Sequence, residues 1–153
     1  SYLGQILAER LAATFIEGDD LHPTANVEKL RAGRALNDSD REPWLRILHQ
    51  QLLDAQTKQE SVVLAASLLK QTYRDLVFDG IDSPRLIFLQ ASESCIHERM
   101  TQRDHFMPAS LLASQLATLE KPAQAICIEN DAEPQQLCDR MLAALESGRG
   151  RVQ

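Results

Sequence analysis

No stretch of this 153-residue chain approaches the roughly 18 consecutive apolar residues of a membrane span, so a soluble globular protein is expected. Positive charge is in deficit. Sixteen Lys and Arg against 22 Asp and Glu leave a formal net charge of −6, which excludes the net basic face that holds nucleic-acid phosphates. Any anionic ligand must therefore meet cations placed locally. Cysteine is scarce: Cys95, Cys127 and Cys138 are odd in number, lack C-x-x-C spacing and lie among apolar residues, the pattern of reduced structural thiols. His22, His49, His97 and His105 show no i,i+4 or H-x-x-H pairing and give a histidine metal site no support. The first residues resemble neither a secretory leader nor a transit peptide, which makes the cytoplasm the expected compartment. There is no internal repeat or low-complexity tract, and the length fits one domain.

Four apolar runs lack polar alternation: Ala12 to Ile16, Ser61 to Ala66, Arg85 to Gln90 and Ala125 to Glu129. That is the pattern of strands covered on both faces of a parallel sheet. Helical periodicity fills the intervals: Tyr2 to Leu11, a segment around Asn26 to Arg31, a long one from about Ser39 to Gln59, then Leu68 to Asp79, Glu93 to Arg103, Pro108 to Leu119 and Pro134 to Glu146. Strands alternating with helices predict an α/β fold. In the long helix, Ser39-x-x-Glu42 has the spacing of a capping box and Pro43 falls in the first turn. Trp44, Leu45, Leu48 and Leu52 form an apolar stripe that assigns Trp44 to the core.

Ligands of open parallel sheets bind beyond the carboxyl ends of the strands, so the residues after each apolar run are the candidates for chemistry. Glu17-Gly18-Asp19-Asp20-Leu21-His22-Pro23 crowds three carboxylates at a glycine turn. Like charges that close invite a metal ion or a shared proton, and a solvated loop in which Asp20 caps the next helix fits the same composition. After the second run, Lys70 and Arg74 are i,i+4 cations on a helix whose core side is Leu69, Tyr73, Leu76 and Val77. Such a pair repels by roughly a few tenths of a kcal/mol alone and makes sense opposite an anion, either a ligand or an internal Asp75 or Asp79. Arg99 and Arg103 repeat the device ahead of Asp104-His105-Phe106-Met107-Pro108, a breaker-rich turn with the character of a mobile lid. A surface pair of Arg99 with Glu98 is the plain alternative. Gly33 to Arg41 is dense in hydrogen-bonding groups that suit a polyhydroxy ligand or a capped turn. Together these are parts of a metal-assisted phosphoryl transfer. No G-x-x-x-x-G-K-[ST] occurs, and of that loop only the final hydroxyl has a counterpart, Ser1.

The strings Glu17 to Pro23, Leu36-Asn37-Asp38-Ser39-Asp40-Arg41-Glu42-Pro43-Trp44-Leu45, Lys70-Gln71-Thr72-Tyr73-Arg74-Asp75, and His105-Phe106-Met107-Pro108 followed by Ser114-Gln115 and Thr118-Leu119-Glu120, resemble the gluconokinase family in order and spacing, from Ser1 to about Pro122. The resemblance implies a P-loop kinase fold similar to shikimate and adenylate kinases, and ATP-dependent phosphorylation of D-gluconate to 6-phosphogluconate with Mg2+, by a homodimer. It implies one kinase domain over 1–153, with a substrate-binding helical segment at about 22–58 and a lid at about 99–108. It also implies roles. Asp19 orients or deprotonates the attacking hydroxyl and Glu17 is a metal-side acid. His22, Asn26, Lys29, Arg41 and Lys70, joined by Arg74, line the gluconate pocket. Arg99 and Arg103 are lid arginines on ATP, and the Ser1 hydroxyl ligates magnesium.

Members of that family usually begin with a short strand and a loop reading like G-V-S-G-S-G-K-S, against whose final serine Ser1 aligns. The expectation is therefore a chain without the first, central strand, with two strand edges exposed and with poor stability or feeble nucleotide binding. Ala66-Ser67-Leu68-Leu69-Lys70 departs from the family's C-S-A-L-K, Gln71 replaces a frequent basic residue, and the lid is one residue short before His105. These changes bear on lid geometry and nucleotide affinity. Two competing expectations are a catalytically silent binding or regulatory subunit and a kinase for another acid such as shikimate. Turnover by the chain tests the first and a substrate panel the second.

Overall fold

Four short strands pair in parallel, and the helices between them carry the chain from one strand back to the start of the next. The computed structural model describes residues 2–101 and 108–149. Helix α1 (Tyr2–Leu11) leads into β1 (Thr14–Glu17), a 3-10 turn (Gly18–Leu21), α2 (Thr24–Arg31) and the long α3 (Asp38–Thr57). Then come β2 (Val62–Ala65), α4 (Gln71–Phe78), β3 (Ile87–Gln90), α5 (Glu93–Thr101), a second 3-10 turn (Ala109–Leu111), α6 (Leu112–Thr118), β4 (Ile126–Glu129) and α7 (Pro134–Arg149).

Strand β1 pairs with β2 from Thr14↔Val62 to Glu17↔Ala65, and β3 with β4 from Ile87↔Ile126 to Gln90↔Glu129. Among the described residues no ladder joins β2 to β3. The two pairs nevertheless share a cover, because α1 lies on β1 and β2 and packs against α7, which lies on β4. Leu7, Ile128, Leu137, Cys138 and Met141 are buried there, with Val63 of β2 and Ile87 of β3 against the same cluster. The strands were expected to be covered on both faces, but the residues of β2 are all half-buried and Leu89 of β3 is 40% exposed. Side chains project from the two faces of a strand pair, so this exposure means that the helices cover those faces only in part.

Helix α3 starts one residue earlier than its apolar stripe suggests, on a different cap. Asn37 Oδ1 accepts the Asp40 N–H at 2.9 Å and Asp40 Oδ2 accepts the Asn37 N–H at 2.8 Å, a reciprocal capping box. Ser39 and Glu42 do not form it; Glu42 takes Arg46 at 2.7 Å instead. Asn37 wins because asparagine is among the strongest N-caps, and the aspartate three residues on returns the bond. Trp44, Leu45 and Leu48 then bury against Leu69, Tyr73 and Val77. Helix α4 begins at Gln71, three residues later than the periodicity predicts, because Leu68 to Lys70 form the exit loop from β2. No helix among the described residues is long and apolar enough to cross a membrane. Cys138 is buried, Cys95 half-buried and Cys127 exposed, all as free thiols.

Candidate active site

Glu17 ends β1 in register with Ala65 at the end of β2, so the acidic turn and the loop carrying Lys70 leave their sheet at the same end. The turn is held tightly. A Cβ on Gly18 would lie 2.7 Å from Ala65 O and 2.9 Å from Ala66 Cβ, so only glycine lets the chain pass here. From the other side Trp44 of α3, fully buried, donates its Nε1–H to Gly18 O at 2.7 Å. Asp19 is half-buried in the 3-10 turn that follows, and its carbonyl accepts the His22 N–H at 3.3 Å. Asp20 is exposed and does not cap α2, which begins after Pro23 with no side-chain cap.

The His22 ring stacks on Trp44 with centroids 4.3 Å apart and 16° between the planes. Trp44 is thus core, as its stripe predicts, and also the platform under a candidate site residue. Burial first, and the Arg41 charge second, push the His22 pKa down to about 4. Asn26, buried on α2, donates Nδ2–H to Asp40 O at 2.8 Å and lies 3.4 Å from His22 Nδ1.

Arg41 sits on the first turns of α3 with only 5% of its surface exposed. Among the described residues its Nε is buried without a hydrogen-bond partner and its guanidinium forms no ion pair. Its Cζ lies 5.8 Å from the centre of the Tyr73 ring. Burial draws its pKa down, opposed by Tyr73, Asp38, Asp40 and Asp19. Lys70 reaches Asp38 at 2.7 and 2.9 Å, and the Tyr73 hydroxyl donates to the same carboxylate. Lys29 pairs with Asp40. The hydrogen bonds from Lys70 and then Tyr73 hold the Asp38 carboxyl below the usual range, as those from Lys29 and the Asn37 backbone do for Asp40.

Five of the six proposed acceptor residues, His22, Asn26, Lys29, Arg41 and Lys70, therefore meet around the start of α3. Arg74 lies apart from that cluster. It is buried, with Nη1 donating to Leu68 O at 2.8 Å and Nε and Nη2 to Gln71 Oε1 at 3.3 and 3.1 Å, so it braces the exit loop of β2. Arg99 donates from Nη2 to Asn130 O at 3.1 Å, tying α5 to the end of β4. Ser1, Arg103 and His105 lie outside the described residues. Residue type and spacing give Asp38, Asp40 and Tyr73 no role in the site. The two aspartates belong to the Gly33 to Arg41 stretch already marked as dense in hydrogen-bonding groups, whereas Tyr73 is disguised by its place on the core side of α4.

A neutral, stacked His22 predicts a pH effect with a definite sign. Its folded pKa is depressed, so between about 4 and 6.5 the unfolded chain binds the extra proton and stability falls as the pH is lowered through that window. Discounted for partial exposure, the loss is about 1–2 kcal/mol. The depressed carboxylates Asp38 and Asp40 act only below pH 4. Urea unfolding at pH 7, 5.5 and 4.5 is expected to show the decline in the wild type and a flatter profile in His22→Gln; equal slopes would refute it.

Parallel strands joined by helices on their faces are the fold of an α/β P-loop kinase, and the acidic turn at the end of β1 with the cations around the start of α3 is its candidate site. Residues 1–122 match the AAA domain family AAA_33. The chain is 40% identical over 141 residues to a gluconokinase of Gluconobacter oxydans, covering 89% of this chain and 79% of that protein. It is 40% identical over 121 residues to the thermosensitive gluconokinase of Escherichia coli, covering 78% and 65%. The crystal structure of a gluconokinase from Sinorhizobium meliloti superimposes with a TM-score of 0.83 at 37% identity, over 95% of this chain and 84% of that one. The chain belongs to the gluconokinase family.

Proposed function

We propose that the protein transfers the γ-phosphoryl group of ATP to D-gluconate, giving 6-phospho-D-gluconate. The observation that carries this reading is Arg41, a buried guanidinium with an orphaned Nε beside a half-buried carboxylate turn. Removing a cation from water without an ion-pair partner is costly, and an acceptor that brings its own carboxylate offsets the cost. The arginine fork suits a carboxylate, and Lys70 adds a second positive charge. Around them the acceptor's hydroxyls meet Asn26, Lys29 and His22, whose ring is uncharged above about pH 4. Asp19 orients the attacking hydroxyl and takes its proton.

Magnesium fits this strand end by donor chemistry. Glu17 is a hard oxygen donor beside Gly18, and Mg2+ typically takes one or two carboxylates and completes its shell with water and phosphate oxygens. Among the described residues no group of three or more acidic, histidine or cysteine side chains forms a closed metal cage, which such a shared site does not require. When bound, the ion neutralises charge on the transferred phosphoryl oxygens. Ser1 would add a hydroxyl, and Arg99 with Arg103 would contact the nucleotide from the lid segment at about 99–108. The acceptor segment at about 22–58 completes a single domain over 1–153. The same reading makes the enzyme a cytoplasmic homodimer, which light scattering in solution and localisation of a tagged protein check.

The test is a coupled ATP-consumption assay of the protein as its gene encodes it, with gluconate, shikimate and uncharged glucose as acceptors. Gluconate is expected to be turned over strongly in preference to glucose, since only the acid neutralises Arg41. Arg41→Ala is expected to raise the gluconate KM by about 10- to 100-fold, the loss of a charge-assisted bond, with the ATP KM within about threefold. Equal use of glucose, or an unchanged KM in Arg41→Ala, would remove the basis of the proposal.

A further inference from the structure

Thr118-Leu119-Glu120 has no role in the site as described, yet Glu120 holds the loop that delivers Lys70. Lys70 is the residue before α4, with φ −103° and ψ 155°, and its side chain does not cap the helix. It leaves for Asp38 instead. The first turn of α4 contains no acidic residue. Of its leading N–H groups, those of Tyr73 and Arg74 go to Lys70 O at 3.2 and 3.3 Å. The Gln71 N–H donates to Glu120 Oε2 at 2.6 Å, from 49 positions down the chain. The Glu120 N–H in turn donates to Leu69 O at 2.8 Å. One residue thus grips the backbone on both sides of Lys70, at Leu69 and at Gln71. Leu119 beside it packs on the cluster formed by Trp44, Tyr73 and Val77.

An N-cap position normally carries a side-chain acceptor, and a lysine there puts a cation at the positive end of the helix dipole. The Glu120 carboxylate supplies both the missing acceptor and the missing negative charge. Without it the Gln71 N–H loses its partner, and the extended backbone at Lys70, which aims the side chain at Asp38 and Tyr73, loses one of its two anchors.

We propose that Glu120 is a positioning residue for the acceptor site, acting through Lys70. It touches neither acceptor nor nucleotide; it fixes the direction of the cation that does. The kinetic part of this inference rests on the acceptor role proposed for Lys70. Glu120 is exposed, so shortening it opens no cavity.

Glu120→Ala is expected to raise the gluconate KM by about tenfold while kcat and the ATP KM stay within about threefold, as fits a weakened rather than deleted charge contact. Glu120→Gln keeps an oxygen for the Gln71 N–H and is expected to recover most of the loss. Independently of activity, pulse acetylation with acetic anhydride read by peptide mass spectrometry is expected to modify Lys70 severalfold faster in Glu120→Ala than in the wild type, because its contact with Asp38 is loosened. A lower melting temperature in Glu120→Ala with wild-type gluconate KM and wild-type Lys70 labelling would overturn the proposal and leave Glu120 a structural cap. If the wild type does not phosphorylate gluconate, the proposed function fails, and the labelling comparison still decides whether Glu120 positions Lys70.

Discussion

Asp19→Asn is expected to lower kcat for gluconate phosphorylation by about 10²–10⁴-fold, with a change of only a few fold in the gluconate KM. The amide has nearly the shape of the carboxylate, so the turn should keep its form. Its shape depends on Gly18 against Ala65 and on the Trp44 bond to Gly18 O, neither of which involves the Asp19 side chain. What disappears is the charge and basicity that the proposed function assigns to activation of the acceptor hydroxyl. Asp20→Asn, one position along and exposed, is the matched control and is expected to stay within about threefold of wild type, as exposed substitutions usually do. Steady-state kinetics with circular dichroism as a fold check decides the matter. Asp19→Asn retaining more than about a tenth of wild-type kcat would reject Asp19 as the residue that activates the acceptor.

The largest loss of stability is expected at Trp44. It is fully buried among Leu45, Leu48, Leu69, Tyr73 and Val77, it donates to Gly18 O, and it carries the stacked His22 ring. Trp44→Ala is expected to cost about 3–5 kcal/mol, the range for deleting a large buried aromatic side chain. Against a total stability of about 5–15 kcal/mol typical of a domain, that is a large share. Trp44→Phe keeps most of the packing but loses the indole bond to Gly18 O, for about 0.5–1.5 kcal/mol. Denaturant titrations of the three proteins measure both values. A Trp44→Ala loss below about 1.5 kcal/mol would show that the site is not anchored through this ring. The acidic turn and the His22 ring, a proposed acceptor contact, both rest on this side chain, so the Phe variant is also expected to raise the gluconate KM.

Much of the site was legible as residue types at strand ends. The carboxylate turn after β1 and the Lys70 loop after β2 both follow apolar runs and are marked by the rule that ligands gather at the carboxyl ends of parallel strands, whereas the polar stretch before α3 follows α2 and is marked only by its density of hydrogen-bonding groups. The errors were in neighbours. Ser39 looked like the cap of α3, but Asn37 two residues earlier has the better geometry and an aspartate to return its bond. Lys70 and Arg74 looked like one paired device because they are i,i+4. In the structure Lys70 precedes α4 and faces Asp38, while Arg74 turns inward to the carbonyls of Leu68 and Leu69. The two side chains diverge because the helix starts after Lys70, and i,i+4 neighbours share a face only when both lie within a helix.

By itself the sequence determined the alternation of parallel strands and helices, the place of the acidic turn and the family, because apolar runs, helical periods and contiguous motifs are local properties of the chain. The tertiary structure alone decided that Arg41 is buried with an orphaned Nε, that Asp38 joins Lys70 to Tyr73 across 32 and 35 positions, and that Glu120 caps α4 from 49 positions away. Those contacts depend on which helix face meets which strand end. No local period records that, since the entropy cost of closing such loops is met only when the whole core packs.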